Sequence, residues 1–205
     1  MLESVLRSSR ILPVITARSV ESTVQLAAAL QRGGMHAVEI TLRSEVALDS
    51  LRAVSAAFPD MHVAAGTVTN EVELDQAVEA GASLVLSPGA TDGLLAAARE
   101  RRVDIVPGVA TASEIMRGLD YGLTIFKLFP AEAAGGLALL RSLAGPFPNV
   151  QFCPTGGLNP DNFRTYLAQT NVICCGGSWM VTPELVDNER WHEIEALAME
   201  AMAIF

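Results

Sequence analysis

The sequence is poor in the residues that build metal centres, disulfide frameworks and nucleic-acid interfaces. Its 205 residues include three cysteines and three histidines, and 14 Lys and Arg stand against 23 Asp and Glu, for a formal net charge of −9. Because nucleic-acid binders need positive charge to neutralise phosphates, we expect no nucleic-acid partner. Cys153, Cys174 and Cys175 have neither an even count nor CxxC spacing, so we expect buried apolar thiols and no metal site.

Long hydrophobic runs are also missing. No segment reaches the ~18 uninterrupted apolar residues of a membrane span, and residues 1–15 carry Glu3, Arg7 and Arg10 before a short apolar run, unlike a secretory signal. We therefore expect a cytoplasmic protein with no membrane partner. Because 50% of the residues are hydrophobic and 18% are charged, the chain is expected to fold, and its length suits a single domain over 1–205.

Eight short apolar runs alternate with stretches of helical spacing, which predicts repeated strand-helix units. The runs are nearly continuous in apolar residues, as in parallel strands covered on both faces. We predict a (β/α)8 TIM barrel with a short N-terminal helix over residues 1–10, a helix opened by Asn159-Pro160 and ending at Ala168, and a last helix in the tail from Glu184. The alternative is an open doubly wound sheet, although the first strand-helix turn, PVITARS, lacks its glycine-rich fingerprint. The runs begin near Ile11, Ala37, His62, Leu84, Asp104, Thr124, Gln151 and Val172.

Charged residues interrupt two of the predicted strands. In the second, period-two alternation places Glu39, Thr41 and Arg43 on one face, which must point inward if the other face packs against helices. In the sixth, Lys127 lies within the apolar run TIFKLFP. An amine buried without a partner tends to lose its proton and can then attack a carbonyl carbon to form a Schiff base. The alternatives are structural ion pairs of Glu39 with Arg43 or with Lys127.

The residue types suggest a different chemical role for each of these inward-facing side chains. Glu39 is the carboxylate placed for general acid/base work, and Arg43 offers a bidentate fork to a carboxylate or phosphate. Thr67, at the end of the third strand, is a candidate hydroxyl donor to the same group, or simply a strand-forming residue. His36 and His62 precede strands, and His192 lies in the predicted last helix, so none is expected to act as the base. A metal-dependent mechanism has no support in the residue spacing.

Two glycine pairs follow the seventh and eighth strands, where barrels often bind phosphate. Gly156-Gly157 and Gly176-Gly177-Ser178 would let backbone N–H groups approach an anion closely, although glycine pairs also serve ordinary turns. Pro88 and Phe129 end the fourth and sixth strands and are candidates for the walls of an apolar pocket, or Pro88 shapes a turn.

The segments AVEITLRS, AAGTV, LSPG, VPGVATASE, FKLFPAE, CPTGG and GGSW occur in that order between about Ile11 and Met180. Together they resemble the class I aldolases for 2-keto-3-deoxy-6-phosphogluconate (KDPG), which are closely related to 4-hydroxy-2-oxoglutarate (KHG) aldolases. The resemblance implies cleavage of a phosphorylated keto acid in the Entner-Doudoroff pathway, without a cofactor and in a homotrimer. The open alternatives are an aldolase for KHG or for 2-keto-3-deoxy-6-phosphogalactonate, and a phosphosugar-binding barrel without catalysis.

The resemblance also implies a role for each candidate residue. Lys127 forms the Schiff base, Glu39 is the general acid/base, and Arg43 binds the pyruvate carboxylate with help from Thr67. Thr155 is implied in stereochemical control of the aldehyde part. Phosphate is assigned to Gly156, Gly157, Gly176, Gly177 and Ser178.

Overall fold

The computed structural model describes residues 2–203, in which helices and strands alternate along most of the chain. The strands are β1 (Ile11–Ile15), β2 (Ala37–Thr41), β3 (His62–Gly66), β4 (Leu84–Leu86), β5 (Ile105–Val106), β6 (Gly108–Val109), β7 (Ile125–Leu128), β8 (Gln151–Phe152) and β9 (Cys175–Gly177). The helices are α1 (Leu2–Ser9), α2 (Val20–Arg32), α3 (Ala47–Ala57), α4 (Glu71–Glu79), α5 (Asp92–Arg101), α6 (Ala112–Asp120), α7 (Ala131–Ala134), α8 (Gly136–Ala144), α9 (Phe163–Leu167), α10 (Pro183–Asp187) and α11 (Trp191–Met202).

Every strand ladder is parallel, which confirms the predicted parallel α/β architecture. The ladders form a six-stranded sheet in the order β5-β4-β3-β2-β1-β9 and a three-stranded sheet in the order β6-β7-β8. Two isolated parallel bridges, Phe152 to Val172 and Thr155 to Gly176, lie between β8 and the segment that ends in β9. The described residues thus form two sheets, where the sequence predicts one continuous barrel of eight strands.

The predicted fifth strand is divided into β5 and β6 at Pro107. Proline has no N–H to donate to a ladder, so the regular pairing stops there. Its carbonyl still accepts a hydrogen bond from the backbone N–H of Lys127, at 2.9 Å. On the other side, Gly108 lies so close to the backbone of Pro88 that an added Cβ would overlap it. Pro107 therefore separates β5, which pairs with β4, from β6, which pairs with β7.

Two apolar clusters lie on opposite faces of the strands. Val38 and Ile40 of β2 belong to the large cluster that packs against the helices, whereas Ala37 belongs to a smaller inner cluster. This alternation confirms that Glu39 shares the inner face, as predicted. The inner cluster also contains Val5 and Leu6 of α1, so the N-terminal helix covers one end of it. Its members are Val5, Leu6, Leu12, Ala37, Ala64, Leu84, Leu86, Val106, Ile125, Cys153, Ile173 and Cys174.

The helices expected from the sequence form, with two corrections. The N-terminal helix is confirmed for Leu2–Ser9, and Met1 lies outside the described residues. The helix predicted from Asn159-Pro160 instead begins at Phe163, because side-chain hydrogen bonds fold residues 159–162 into a turn. The tail predicted as one helix from Glu184 is two helices, α10 and α11, separated at Glu189, whose φ is 53°. Within residues 2–203, no helix combines the length and the apolar character needed to cross a bilayer.

Candidate active site

A buried ion pair lies at the centre of the fold, between two inward-facing side chains from β2 and β7. Lys127 Nζ donates a hydrogen bond to Glu39 Oε1 at 2.8 Å, and the two side chains are 3% and 0% exposed. The second carboxylate oxygen of Glu39, Oε2, is buried and has no hydrogen-bond partner among the described residues. A buried charged pair with an unsatisfied oxygen is a costly way to stabilise a fold, because desolvation can exceed the Coulombic attraction. The geometry therefore favours a chemical role for the pair.

Gly66 of β3 makes room for the Glu39 side chain. A Cβ added at Gly66 would lie 2.6 Å from Glu39 Cγ and 2.7 Å from Cδ, and it would overlap Oε1. Any side chain at this position would displace the carboxylate from Lys127. Gly66 is not among the site residues predicted from the sequence, although a glycine at the end of an otherwise apolar strand can mark the close approach of another group.

Arg43 and Thr67 meet at the carboxyl ends of β2 and β3. The guanidinium of Arg43 donates from Nε to Thr67 Oγ1 at 3.0 Å, which leaves the hydroxyl proton of Thr67 available for another acceptor. Thr67 adopts a φ of 62°, in the left-handed region that residues with a Cβ rarely occupy. Strain of this kind costs about 1–3 kcal/mol and is concentrated at functional sites. The pair places a cation and a hydroxyl together at the mouth of the inner face.

A cavity of about 120 Å³ opens above Lys127, and a second cavity of about 350 Å³ adjoins it. Both are lined by Val14, Arg43 and Ser178, so the two cavities lie side by side, and together they are called the cleft below. Phe129 contributes the apolar wall of the smaller cavity, and its ring centroid lies 5.4 Å from Lys127 Nζ. The smaller cavity is also lined by Thr155, Gly156, Gly157, Leu158, Gly176 and Gly177. One cleft therefore brings together Lys127, Arg43, Phe129 and both predicted glycine pairs.

Three predicted site residues do not line this cleft. Glu39 lies behind Lys127, and Thr67 is linked to the cleft through Arg43. Pro88 is half-buried at the end of β4, where its backbone packs on Gly108. The pocket-wall prediction for Pro88 is thus not supported by the lining of either cavity, whereas the turn interpretation matches its position.

The glycines beside the cleft permit close packing of the two loops. Gly156 and Gly157 have φ values of 100° and 84°, a conformation that glycine adopts without a Cβ penalty. Gly176 faces Thr155, and a Cβ there would overlap the threonine Oγ1. Thr155 is 5% exposed and lines the smaller cavity, and its hydroxyl donates to the carbonyl oxygen of Cys153 at 3.4 Å. A Cβ at Gly157 would overlap the side chain of Glu132, so bulk at Gly157 or Gly176 would displace a neighbouring side chain.

The remaining predictions on titratable residues concern positions outside the cleft. His36 and His62 lie at the amino ends of β2 and β3, away from Lys127, and His192 is on α11. Cys153, Cys174 and Cys175 are free and buried, as predicted, and burial raises the pKa of the Cys174 and Cys175 thiols. Across residues 2–203, no group of three or more His, Cys, Asp or Glu side chains is arranged to hold a metal ion.

Comparison with known proteins identifies relatives that align with nearly the whole chain. Residues 2–197 match the family described as "Aldolase: KDPG and KHG aldolase". A protein named KHG/KDPG aldolase from Escherichia coli (strain K12) is 46% identical over 200 residues, covering 98% of this chain and 94% of the relative.

Two solved structures share the fold and more than 40% of the sequence. The KDPG aldolase from Legionella pneumophila, with pyruvate captured at low pH as a covalent carbinolamine intermediate, has a TM-score of 0.95 and 43% identity, over 98% of this chain and 97% of that one. The 2-keto-3-deoxy-6-phosphogluconate aldolase of Zymomonas mobilis ZM4 with 3-phosphoglycerate has a TM-score of 0.94 and 41% identity, over 100% and 96% of the two chains.

Proposed function

The chain belongs to the KDPG and KHG aldolase family, and on that premise we propose that it is a class I aldolase, a lyase that cleaves KDPG to pyruvate and glyceraldehyde 3-phosphate through a Schiff base on Lys127. The observation that carries the proposal is the buried 2.8 Å contact between Lys127 Nζ and Glu39 at the bottom of an open cleft. The covalent carbinolamine in the Legionella pneumophila relative supports the same class of chemistry.

Lys127 and Glu39 together supply the nucleophile. Transfer of a proton from the Lys127 ammonium to Glu39 leaves a neutral amine beside a carboxylic acid. The Nζ lone pair attacks the C2 ketone of the substrate to give a carbinolamine. The carboxylic acid of Glu39 then protonates the carbinolamine hydroxyl, which leaves as water, and a cationic imine remains between Lys127 and C2, next to the face of Phe129, with Glu39 again ionised.

Glu39 then moves two further protons. Acting through a water molecule, its carboxylate accepts the proton of the C4 hydroxyl as the C3–C4 bond breaks, and the bonding electrons pass into the imine to form an enamine while glyceraldehyde 3-phosphate leaves. The same carboxyl group returns a proton to C3 of the enamine. Addition of water to the resulting imine releases pyruvate and regenerates the lysine. The unpaired Oε2 of Glu39 supports this shuttle, because no described side chain competes for it.

The cleft offers anion-binding groups at both ends of such a substrate. Arg43, steadied by Thr67, suits the carboxylate beside the C2 ketone. The loops of Gly156-Gly157 and Gly176-Gly177-Ser178 suit the phosphate, and Thr155 lines the same cavity. The Zymomonas mobilis relative, solved with 3-phosphoglycerate, supports a phosphorylated ligand.

A second substrate, 4-hydroxy-2-oxoglutarate, is favoured by the name of the Escherichia coli relative, which includes both acids. The same lysine chemistry would release pyruvate from it. Its distal group is a carboxylate, which the glycine loops bind less completely than a phosphate because it offers fewer acceptor oxygens. We therefore propose KDPG as the preferred substrate.

The architecture proposed for this function is a single closed (β/α)8 barrel over residues 1–205. Two observations support closure: β5 and β6 are successive parts of one chain segment interrupted at Pro107, and the bridges from Phe152 and Thr155 lead from β8 towards β9. The homotrimer and the cytoplasmic location remain predictions, the first to be measured by analytical ultracentrifugation.

Steady-state cleavage of KDPG, with pyruvate measured by a coupled dehydrogenase, tests the proposed function. The wild-type protein is expected to release pyruvate, with kcat/KM higher for KDPG than for 4-hydroxy-2-oxoglutarate. Lys127→Ala is expected to abolish cleavage while circular dichroism confirms that it folds. A folded Lys127→Ala variant with near-normal turnover would eliminate the covalent scheme.

A further inference from the structure

Three successive backbone carbonyl oxygens in the loop after β8 each accept a hydrogen bond. The carbonyl oxygen of Thr155 accepts from the N–H of Ala131 at 2.8 Å, and that of Gly156 accepts from the N–H of Glu132 at 3.1 Å. The carbonyl oxygen of Gly157 accepts from the side-chain amide of Asn162, from Nδ2, at 3.1 Å. Two of the three donors are thus backbone groups that closely follow Lys127 on β7, and the third is a side chain.

Fixing these carbonyls also fixes the N–H groups of the same peptide units. In a planar trans peptide the N–H points away from the C=O, so the three contacts set the directions of the N–H groups of Gly156, Gly157 and Leu158. No described residue accepts a hydrogen bond from any of these three N–H groups. All three residues line the cavity above Lys127. Consecutive unpaired N–H groups in such a loop form a concave site for an anion.

Asn162 is itself held in place. Its Oδ1 accepts from the backbone N–H of Asn159 at 2.9 Å, which orients the amide so that Nδ2 faces Gly157. Asn159 in turn accepts from the N–H of Asp161 through Oδ1 at 2.9 Å. The turn that replaces the first predicted helical residues therefore orients one amide group towards the loop.

We propose that Asn162 is a positioning residue for the phosphate of the substrate: it holds the Gly157–Leu158 peptide so that the Leu158 N–H, in series with those of Gly156 and Gly157, points into the cleft. The inference rests on the proposed function, since it assumes a phosphorylated keto acid. Asn162 is the one donor of the three that a side-chain substitution removes. The contribution is specific to the phosphate end of the substrate and leaves the Lys127 chemistry untouched.

Asn162→Ala and Asn162→Asp test this assignment. The aspartate keeps the size of the side chain and an acceptor for the Asn159 N–H but loses the Nδ2 donor. Gln169→Ala is the matched control, because it removes a side-chain amide that donates to another backbone carbonyl, that of Thr165, and leaves the Gly157 contact in place. The readouts are KM and kcat for KDPG and for 4-hydroxy-2-oxoglutarate, competitive inhibition by inorganic phosphate, and borohydride trapping of pyruvate.

Both Asn162 variants are expected to raise KM for KDPG about tenfold. This change corresponds to the loss of one hydrogen bond to a charged group, the bond from the Leu158 N–H to the phosphate. Inhibition by inorganic phosphate weakens in parallel, and KM for 4-hydroxy-2-oxoglutarate rises less than KM for KDPG, while pyruvate trapping and all constants of Gln169→Ala stay near wild type. An unchanged KM for KDPG, or equal losses with both substrates and with pyruvate trapping, would overturn the proposal. Wild-type protein that neither prefers KDPG nor responds to inorganic phosphate would instead refute the phosphorylated substrate itself, and the Asn162 assignment with it.

Discussion

Replacing Gly66 by alanine is a direct perturbation of the Lys127–Glu39 contact that leaves both residues in place. Gly66 does not adopt a positive φ, so the backbone accepts an alanine. The new Cβ would lie 2.6 Å from Glu39 Cγ, whereas carbon atoms in favourable contact lie ~3.5–4.0 Å apart. The carboxylate must therefore move by roughly 1 Å, a misplacement that can reduce turnover about 100-fold. Insertion of a methyl group into this packed site also costs about 1–3 kcal/mol of stability.

The assay is kcat/KM for KDPG cleavage beside thermal unfolding of the same preparations. Gly145→Ala is the matched control, because Gly145 has a φ of −64° and no atom lies within 4 Å of an added Cβ. We expect Gly66→Ala to fold with a lowered midpoint and to lose about two orders of magnitude in kcat/KM, with Gly145→Ala near wild type in activity. Wild-type kcat/KM in a folded Gly66→Ala protein would refute the idea that the Glu39 position limits turnover.

Three other substitutions test separate parts of the account. Glu39→Gln keeps the shape of the side chain but cannot shuttle protons, so kcat should fall about 10²–10⁴-fold, together with deuterium exchange into the pyruvate methyl group; an unchanged rate would move the base elsewhere. Thr67→Val removes the acceptor for Arg43 Nε and should raise KM for pyruvate about fivefold in the synthetic direction; an unchanged KM would mean that Arg43 needs no support. Burial raises the pKa of Tyr166 above 10.0, so the folded protein retains the phenol proton more tightly than the unfolded chain does. The stability that results from this difference is present below about pH 10 and is lost as the pH rises further. In urea titrations the free energy of unfolding of Tyr166→Phe should therefore fall less between about pH 9 and about pH 11 than that of the wild type. An equal fall would show that Tyr166 does not contribute to the pH dependence of stability.

Much of the fold follows from local patterns in the sequence. Ser19, Thr91 and Thr111 cap α2, α5 and α6 because their hydroxyls accept the free N–H groups of each first turn. Period-two alternation in β2 places Glu39 on the inner face, and the apolar run around Lys127 indicates that this charge is buried. The strongest chemical prediction therefore came from residues whose burial is expensive.

Other features depend on contacts between distant segments and leave little local trace. Gly66 matters because of where Glu39 from a neighbouring strand lies, and the left-handed backbone of Thr67 is maintained by surrounding structure. Helix α9 begins at Phe163, later than the sequence predicts, because the side chains of Asn159 and Asn162 accept hydrogen bonds from nearby backbone N–H groups and compete with helix formation.

Reduction of the protein with borohydride in the presence of pyruvate, followed by peptide mass spectrometry, is the decisive test of the Lys127 Schiff base. A single reduced pyruvate adduct is expected on Lys127 in the wild type and none in a folded Lys127→Ala variant. A folded, wild-type protein that gives no adduct, or an adduct on a different residue, would contradict the Schiff-base mechanism.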